Sequence, residues 1–326
     1  GFTIICLFLM LQEKYFREDI NMKNRVDLHI HTNFSDGTKT PKEVLMEAEQ
    51  LKLHRISITD HESVQAYQEI KENRELFSGL IVPGIELKTI CQGREIELLG
   101  YGISIVDIGK NLSSIYQTKE DINRGYLKAI IKVLKSKGII LPDNLEEQYG
   151  KENITGTQPA WFVRNAMSCE YEYNMKILYS DSIEHTAKDG FYRKWLSNPE
   201  SDFYVDYKGY PDYQMTIKLI KENGGKVFIP HIYQYGESSN SILEELLKTR
   251  KIDGIECYYP SFTPNQTLYL LEKCNKHGLL ISGGSDYHGA NKINQLGSGI
   301  NNNLFVPEDK VKDWTDELSS KMNSIA

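Results

Sequence analysis

Two histidines occupy alternate positions of one apolar stretch near the beginning of the sequence. In RVDLHIHTNFSDGT these are His29 and His31, and Asp36 follows beside a glycine. Successive side chains of a β-strand point to opposite faces, so the two imidazoles project from the same face. Such a pair favours a bound metal ion, although two hydrogen-bonded core histidines remain the alternative at this point.

The same arrangement recurs along the chain, with polar residues of metal-binding type at the end of an apolar run. These residues are Asp60 and His61 in RISITDH, Glu86 in LIVPGIEL, His231 in KVFIPHI, and Asp286 and His288 in LLISGGSDYHG. A hydrophobic core would not repeat one placement so regularly, and therefore metal ligation explains the five strand-end histidines better. A mixed set of imidazoles and carboxylates suits Zn, Mn or Fe. The set is larger than one ion needs, which predicts a site with several ions, of the kind that hydrolyses phosphate esters.

Helical patterns separate these strands. Thr40 and Pro41 are typical of a helix start, and the pattern continues to residue 52; further helices are expected over residues 213–223 and 263–277. Strands that alternate with helices predict an α/β fold with a mostly parallel sheet or barrel. In such folds, functional side chains gather at the carboxyl ends of the strands, where the candidate ligands lie.

Composition limits the classes of partner. The chain has 326 residues and a net charge of −7, which argues against a surface that binds long nucleic acid. Its five cysteines are scattered and form no CxxC pair, which indicates a reducing, cytoplasmic environment without disulfides. The apolar run over residues 2–11 is too short to span a bilayer, so no membrane association is expected. Because Met22 precedes the first strand, it is interpreted as the native first residue. Residues 1–21 are then an N-terminal extension.

The motifs HIH, SDGT, ITDH, PGIE, a late strand-end histidine and GGSDYHG follow one another in this order within residues 25–290. In this they resemble the PHP (polymerase and histidinol phosphatase) family, and most closely its stand-alone nucleoside 3′,5′-bisphosphate phosphatases and related 5′-to-3′ exonucleases on short RNAs. The resemblance implies a distorted (β/α)7 barrel, formed by residues 22–107 and 208–326. It also implies a small, mainly helical insertion, residues 108–207, that covers the site.

The resemblance further implies two or three divalent ions, of Mn, Fe or Zn, and assigns their ligands by motif. His29, His31, Glu86 and Asp286 would hold the first ion, Glu86 and His231 the second, and Asp36, His61 and His288 the third. A metal-bound hydroxide held by Glu86 and Asp286 would attack phosphorus. The implied enzyme is a phosphoric ester hydrolase that acts on small phosphomonoesters such as nucleotides, including 3′,5′-bisphosphonucleosides or short oligonucleotides.

The sequence departs from the family pattern at the second ion. Similar proteins usually carry GREIHLLGY, whose histidine binds the second metal, whereas this chain has GREIELLGY with Glu97 at that position. Glu97 either binds metal through oxygen or is a solvated residue at a strand edge. Glu95 lies on the same face of the strand and is interpreted as surface charge.

Substrate recognition also departs from the pattern. Related proteins often carry a TRPH-like motif in the insertion, but ITGTQPAWFVRNAM has Gln158 and Ala160 in the corresponding places. Arg124, Arg164 and Arg193 are the remaining cationic candidates for substrate phosphate, although each could be a surface residue of a helix. These changes leave open a second interpretation, a non-catalytic or regulatory barrel that holds metals and binds a phosphorylated ligand without cleaving it.

Overall fold

The structure is a computed structural model, and it describes residues 25–149, 159–178, 191–196, 200–207 and 209–324. It forms two compact units. The first contains the described residues up to Leu112 and from Asp212 onward, and the second those between Ser113 and Pro211. The expected N-terminal extension, residues 1–21, lies outside the described residues. In the described part of the chain, no helix combines the length and the apolar character needed to cross a membrane.

All strands of the described residues lie in the first unit. They are β1 (Val26–Ile30), β2 (Arg55–Ile58), β3 (Leu80–Ile81), β4 (Gly84–Cys91), β5 (Arg94–Tyr101), β6 (Lys226–Ile229), β7 (Gly254–Tyr258) and β8 (Leu280–Gly283). One sheet has the order β1-β2-β3 and is parallel, and the other has the order β4-β5-β6-β7-β8. The alternation with helices confirms the α/β class.

Strand β5 runs antiparallel to both of its neighbours, β4 and β6, whereas β6, β7 and β8 are parallel. The expectation of a mostly parallel sheet therefore fails at β5. The physical reason is the connection: Gln92 and Gly93 join β4 to β5 with φ angles of 51° and 76°, the left-handed values of a two-residue hairpin turn. A two-residue turn permits only antiparallel pairing.

The two sheets meet through isolated bridges at the strand ends. Ile30 pairs with Tyr287, and His61 pairs with Glu86, both in the parallel sense. In the described residues the sheets do not form one continuous closed ladder, so barrel closure stays a prediction. The bridges bring the ends of β1, β2, β4 and β8 together, and these are the ends that carry the candidate ligands.

The α-helices of the described residues are α1 (Pro41–Gln50), α2 (Ala66–Glu72), α3 (Ile105–Ile115), α4 (Lys119–Ser136), α5 (Leu145–Gln148), α6 (Pro159–Ala166), α7 (Tyr171–Leu178), α8 (Tyr213–Glu222), α9 (Ser239–Lys248), α10 (Pro264–His277) and α11 (Glu308–Ser319). Three of them, α1, α8 and α10, confirm the helices expected from the sequence. Thr40 and Thr263 each form a capping box, which satisfies free N–H groups of the first turn. Gly278 ends α10 in the left-handed conformation.

Each unit has its own hydrophobic core. In the first, every residue of β1 is buried, and its apolar side chains pack with those of β2, β3, β5–β8 and α11. In the second, Leu127, Ile130 and Leu134 of α4 pack against Val163 of α6. The aromatic side chain of Phe191 also belongs to that core.

Candidate metal centre

His29 on β1 and His31, directly after the end of that strand, lie side by side, fully buried, with ring centroids 5.2 Å apart. Two glycines let neighbouring backbone approach them closely. A Cβ on Gly37 would lie 2.6 Å from the carbonyl oxygen of His31, and one on Gly284 would lie 2.4 Å from the backbone nitrogen of His29. Gly37 therefore lets the loop that carries Asp36 fold back onto β1, and Gly284 does the same for the end of β8.

Four imidazoles surround the carboxylate of Glu86 on β4. Its Oε2 lies 3.2 Å from His29 Nε2 and 3.1 Å from His31 Nε2. The same oxygen lies 3.5 Å from His61 Nδ1, whereas Oε1 lies 2.9 Å from His231 Nε2. The two oxygens thus face different imidazoles, as a carboxylate that bridges two ions would.

Asp286 follows β8 and also lies close to His29 and His31. Its Oδ1 lies 3.6 Å from His29 Nε2, 3.3 Å from His31 Nε2 and 3.4 Å from His288 Nδ1. The backbone φ of Asp286 is 55° and that of His231 is 21°. Both values lie in the region that side chains with a Cβ rarely adopt, a type of strain that concentrates at functional sites.

Asp36 brings a third group of residues together. Its Oδ1 lies 3.1 Å from His288 Nε2 and 3.8 Å from His31 Nδ1, and its Oδ2 lies 3.7 Å from His61 Nε2. The Asp36 side chain is 54% exposed, whereas the three imidazoles are largely buried. This group therefore forms the solvent-facing part of the site.

Glu97 and Glu95 lie two residues apart on the same face of β5, but their surroundings differ. The Oε1 of Glu97 lies 3.8 Å from His61 Nδ1, and its Oε2 lies 3.4 Å from His231 Nε2. Glu95 is 51% exposed and lies 3.7 Å from the ammonium of Lys88. The structure thus places Glu97 among the candidate ligands and Glu95 outside them.

The imidazoles have the unsatisfied atoms that a metal ion would fill. Buried ring nitrogens without a hydrogen-bond partner are His31 Nδ1 and Nε2, His61 Nδ1, His231 Nδ1 and His288 Nε2. Leaving a buried polar atom unpaired costs about 1–3 kcal/mol, so this concentration needs an external partner. In the part of the chain that the structure describes, ligand atoms within 4.8 Å of one another occur in three groups: His29, His31, Glu86 and Asp286; His31, Asp36, His61 and His288; and His61, Glu86 and Glu97. We call these residues together with His231 the metal-site cluster, and its donors fit divalent ions.

Residues 27–257, more than half of the chain, match the PHP domain family. The chain belongs to this family. It is 25% identical, over 81% of its length and 94% of the relative's, to a phosphoribosyl 1,2-cyclic phosphate 1,2-diphosphodiesterase of Eggerthella lenta. It is also 25% identical, over 83% of its length and 87% of the relative's, to the 5′-3′ exoribonuclease Rnm of Salmonella typhimurium. The family and these relatives make the chain a hydrolase.

Two solved structures support the PHP fold. One, described as a candidate metal-dependent phosphoesterase from Bifidobacterium adolescentis, has a TM-score of 0.57 and 23% identity, over 91% of this chain and 96% of that one. The other, an amidohydrolase from Chromobacterium violaceum with bound sulfate, has a TM-score of 0.55 and 20% identity, over the same shares of the two chains. Both share the α/β architecture described above.

Electrostatics in this PHP site favour cation binding. Although burial opposes ionisation, the surrounding imidazoles hold the pKa values of Glu86 and Asp286 well below their usual range. Burial, together with the charge of Glu86, raises the pKa of Glu97 to about 7. Burial lowers the pKa of His61 to about 3, which leaves a neutral imidazole, the form that binds metals. A divalent ion would remove the repulsion between the carboxylates.

Glu256 of β7 is a site residue that the sequence analysis missed. Its Oε1 lies 3.0 Å from His29 Nδ1, and its Oε2 accepts a hydrogen bond of 2.7 Å from the backbone N–H of His231. A carboxylate on Nδ1 fixes the tautomer that leaves Nε2 free for a metal ion. The available signal was a single glutamate inside the apolar stretch GIECY.

The arginines expected to contact phosphate lie in the second unit. Arg124 pairs with Glu120 one helical turn earlier, with Nη2 2.9 Å from Oε1. The guanidinium of Arg164 lies 5.9 Å from the ring centroid of Tyr171. The side chain of Arg193 lies outside the described residues, as does the whole of Gln158, whereas Ala160 is buried in α6. The phosphate-binding role of these arginines stays a prediction.

Proposed function

We propose that this chain is a metal-dependent phosphoesterase that hydrolyses small phosphomonoesters of the nucleotide class, such as 3′,5′-bisphosphonucleosides or the ends of short oligonucleotides. The observation that carries the proposal is the metal-site cluster, in which buried imidazole nitrogens without hydrogen bonds face carboxylate oxygens. The relatives named for a cyclic phosphate and for RNA support a phosphate ester with a ribose-containing leaving group.

Two or three ions of Mn, Fe or Zn would be held by the cluster. His29, His31, Glu86 and Asp286 would hold the first, Glu86, His231 and Glu97 the second, and Asp36, His61 and His288 the third. When bound, such ions acidify water and offset the charge of phosphoryl oxygens. The chain itself presents Glu86 to two groups of imidazoles, fixes the His29 tautomer through Glu256, and keeps bulk water away by burying β1.

The surrounding architecture would serve the same reaction. We infer that the two sheets, which meet at the His61–Glu86 and Ile30–Tyr287 bridges, are the wall of a distorted (β/α)7 barrel with the ions at its carboxyl end. The helical insertion, residues 108–207, would cover the site and select the substrate. The net charge of −7 supports a small substrate over long nucleic acid, and the free Cys91, Cys169, Cys257 and Cys274 support a reducing, cytoplasmic environment.

The experiment is a measurement of inorganic phosphate released from a panel of esters. The panel contains 3′,5′-bisphosphonucleosides, mononucleotides, 5′-phosphorylated short RNAs, histidinol phosphate and sugar phosphates, each assayed with manganese and with a chelator. The proposal expects chelator-sensitive release, highest with the nucleotide substrates and absent in the Asp286→Asn variant. Release that is highest with a sugar phosphate would overturn the nucleotide class. Metal-loaded protein that binds a nucleotide intact and releases nothing would favour the non-catalytic interpretation.

A further inference from the structure

The two oxygens of Asp286 have different surroundings. Oδ1 faces the imidazoles of His29, His31 and His288, as described above. Oδ2 points the other way and lies 2.7 Å from the ammonium of Lys292. The carboxylate of Asp286 therefore contacts the imidazoles of the metal-site cluster with one oxygen and the ammonium of Lys292 with the other. The sequence analysis did not single out this lysine.

Tyr259 contacts the same oxygen, but it is held in a different way. Its hydroxyl donates a hydrogen bond of 2.8 Å to Asp286 Oδ2 and accepts one from Gln234 Nε2, and its ring is buried against His231. Because the hydroxyl both donates and accepts a hydrogen bond, the orientation of the Tyr259 phenol is fixed. Tyr259 is thus suited to orient Asp286 and has no free group to offer a substrate.

Lys292 has free donors and access to solvent. Its side chain is 39% exposed, and it follows the short turn Gly289–Asn291 behind His288. An ammonium has three N–H donors, and the hydrogen bond to Asp286 uses one of them. The remaining donors lie next to a candidate metal ligand, where a phosphoryl group would have to sit during hydrolysis.

Three other cations of the described residues form ion pairs with carboxylates outside the metal-site cluster. Lys39 lies 2.9 Å from Glu47, Lys88 lies 3.7 Å from Glu95, and Arg124 pairs with Glu120 in the second unit. The ammonium of Lys292, by contrast, lies 2.7 Å from Asp286, a carboxylate of the metal-site cluster. Its position, rather than its residue type, is what distinguishes it.

We propose that Lys292 binds a non-bridging phosphoryl oxygen of the substrate, and that it gives the site a preference for a terminal phosphomonoester. This inference rests on the proposed function. A lysine ammonium is a compact point charge of the kind that binds phosphate in many proteins. A monoester carries up to two negative charges on its phosphoryl oxygens and a diester one, so the monoester gains more from an added cation.

The test compares two variants that remove different partners of the same oxygen, Lys292→Met and Tyr259→Phe. With saturating manganese, Lys292→Met should raise the KM for a nucleoside 3′,5′-bisphosphate about tenfold to a hundredfold and weaken inhibition by inorganic phosphate equally. Its affinity for manganese, measured by calorimetry on the metal-free protein, should not fall. Tyr259→Phe should instead lower that affinity about tenfold to a hundredfold, as loss of a partner behind a ligand does.

Controls separate charge from structure. Lys292→Arg should recover most of the phosphate affinity, and Lys310→Met, on the exposed face of α11, should change neither quantity. Lys292→Met should lose less with a diester substrate than with the monoester. The inference is overturned if Lys292→Met only weakens manganese binding, as Tyr259→Phe does, and leaves KM and phosphate inhibition unchanged.

Failure of the proposed function would be recognised separately. If the metal-loaded wild type hydrolyses nothing, binding of inorganic phosphate is measured by calorimetry in wild type and Lys292→Met. A tenfold weaker affinity in the variant would support the phosphate site without catalysis. Equal affinities would overturn it.

Discussion

Two sets of buried polar side chains lie within a few residues of each other in the first unit, and their hydrogen bonding differs. Asp60 Oδ1 accepts hydrogen bonds from the backbone N–H of Thr32, at 2.7 Å, and from the hydroxyl of Ser35, at 2.6 Å. Its Oδ2 accepts from the hydroxyl of Thr32, also at 2.6 Å. The adjacent His61, by contrast, has a buried Nδ1 without a hydrogen-bond partner. In this pair of residues, the saturated hydrogen bonding of Asp60 indicates a structural carboxylate, and the unbonded nitrogen of His61 indicates a candidate ligand.

Asp27 of β1 and His31, which follows that strand, repeat this contrast, because both ring nitrogens of His31 lack a hydrogen-bond partner. The carboxylate of Asp27 accepts from the backbone N–H and hydroxyl of Ser285, at 2.8 and 2.6 Å, and from the N–H of Gly297, at 2.7 Å. It thereby ties the residue before Asp286 to β1. The structural carboxylates thus hold the loops that carry the ligands, and the two sets serve one site by different means.

The largest effect should follow from removing a ligand of the cluster. Asp286→Asn or His31→Ala should lower the rate of phosphate release at least about a thousandfold, as loss of other catalytic groups does. Circular dichroism should show that the fold persists, because both substitutions leave the structural carboxylates in place. Turnover near the wild-type level in both variants would contradict the assignment of the cluster.

Removing a structural carboxylate should act on stability instead. Asp60→Ala leaves the N–H and hydroxyl of Thr32 without acceptors, so the free energy of unfolding in urea should fall by about 2–4 kcal/mol. The fall should be the same with manganese as with a chelator. A loss that appears only with manganese would mean that Asp60 is a ligand and that hydrogen-bond saturation does not separate the two sets.

Metal binding should stabilise the protein by a comparable amount. At a concentration one hundred times its Kd, manganese should raise the free energy of unfolding by about 2.7 kcal/mol, since a ligand that binds only the folded state stabilises it by mass action. Thermal unfolding at several metal concentrations measures this. Asp286→Asn should remove most of the increase and Asp60→Ala should keep it; an increase that persists in Asp286→Asn would place the ion elsewhere.

Sequence reasoning identified the candidate ligands because their positions follow from local rules. Residues at i and i+2 of a strand share a face, and the ends of parallel strands meet at one edge, so His29, His31 and His231 could be grouped from the sequence alone. The helix starts were equally local. The hairpin between β4 and β5 was missed, although its Gln92-Gly93 turn was a readable signal.

The partners of the ligands could not be predicted because they depend on tertiary packing. Glu256 reaches His29 across 227 positions of the chain, and Lys292 reaches Asp286 through a turn whose geometry no motif specifies. Arg124 shows the opposite case. Its spacing of four residues from Glu120 predicts a helical ion pair, and this local pair is what the structure contains.

The smallest effect is expected at Glu97, which lies near the candidate ligands but is partly exposed at the surface. Its carboxylate, 20% exposed, lies 3.4 Å from His231 Nε2, so Glu97→Gln should weaken binding of the more weakly held manganese ion about tenfold by removing one anionic donor. Glu97→His, which supplies a neutral nitrogen donor, should recover most of that affinity. Glu95→Gln is the matched control on the same strand face and should stay within about twofold of wild type. Calorimetry on metal-free protein measures all three, and equal affinities for Glu97→Gln and Glu95→Gln would return Glu97 to the surface residues.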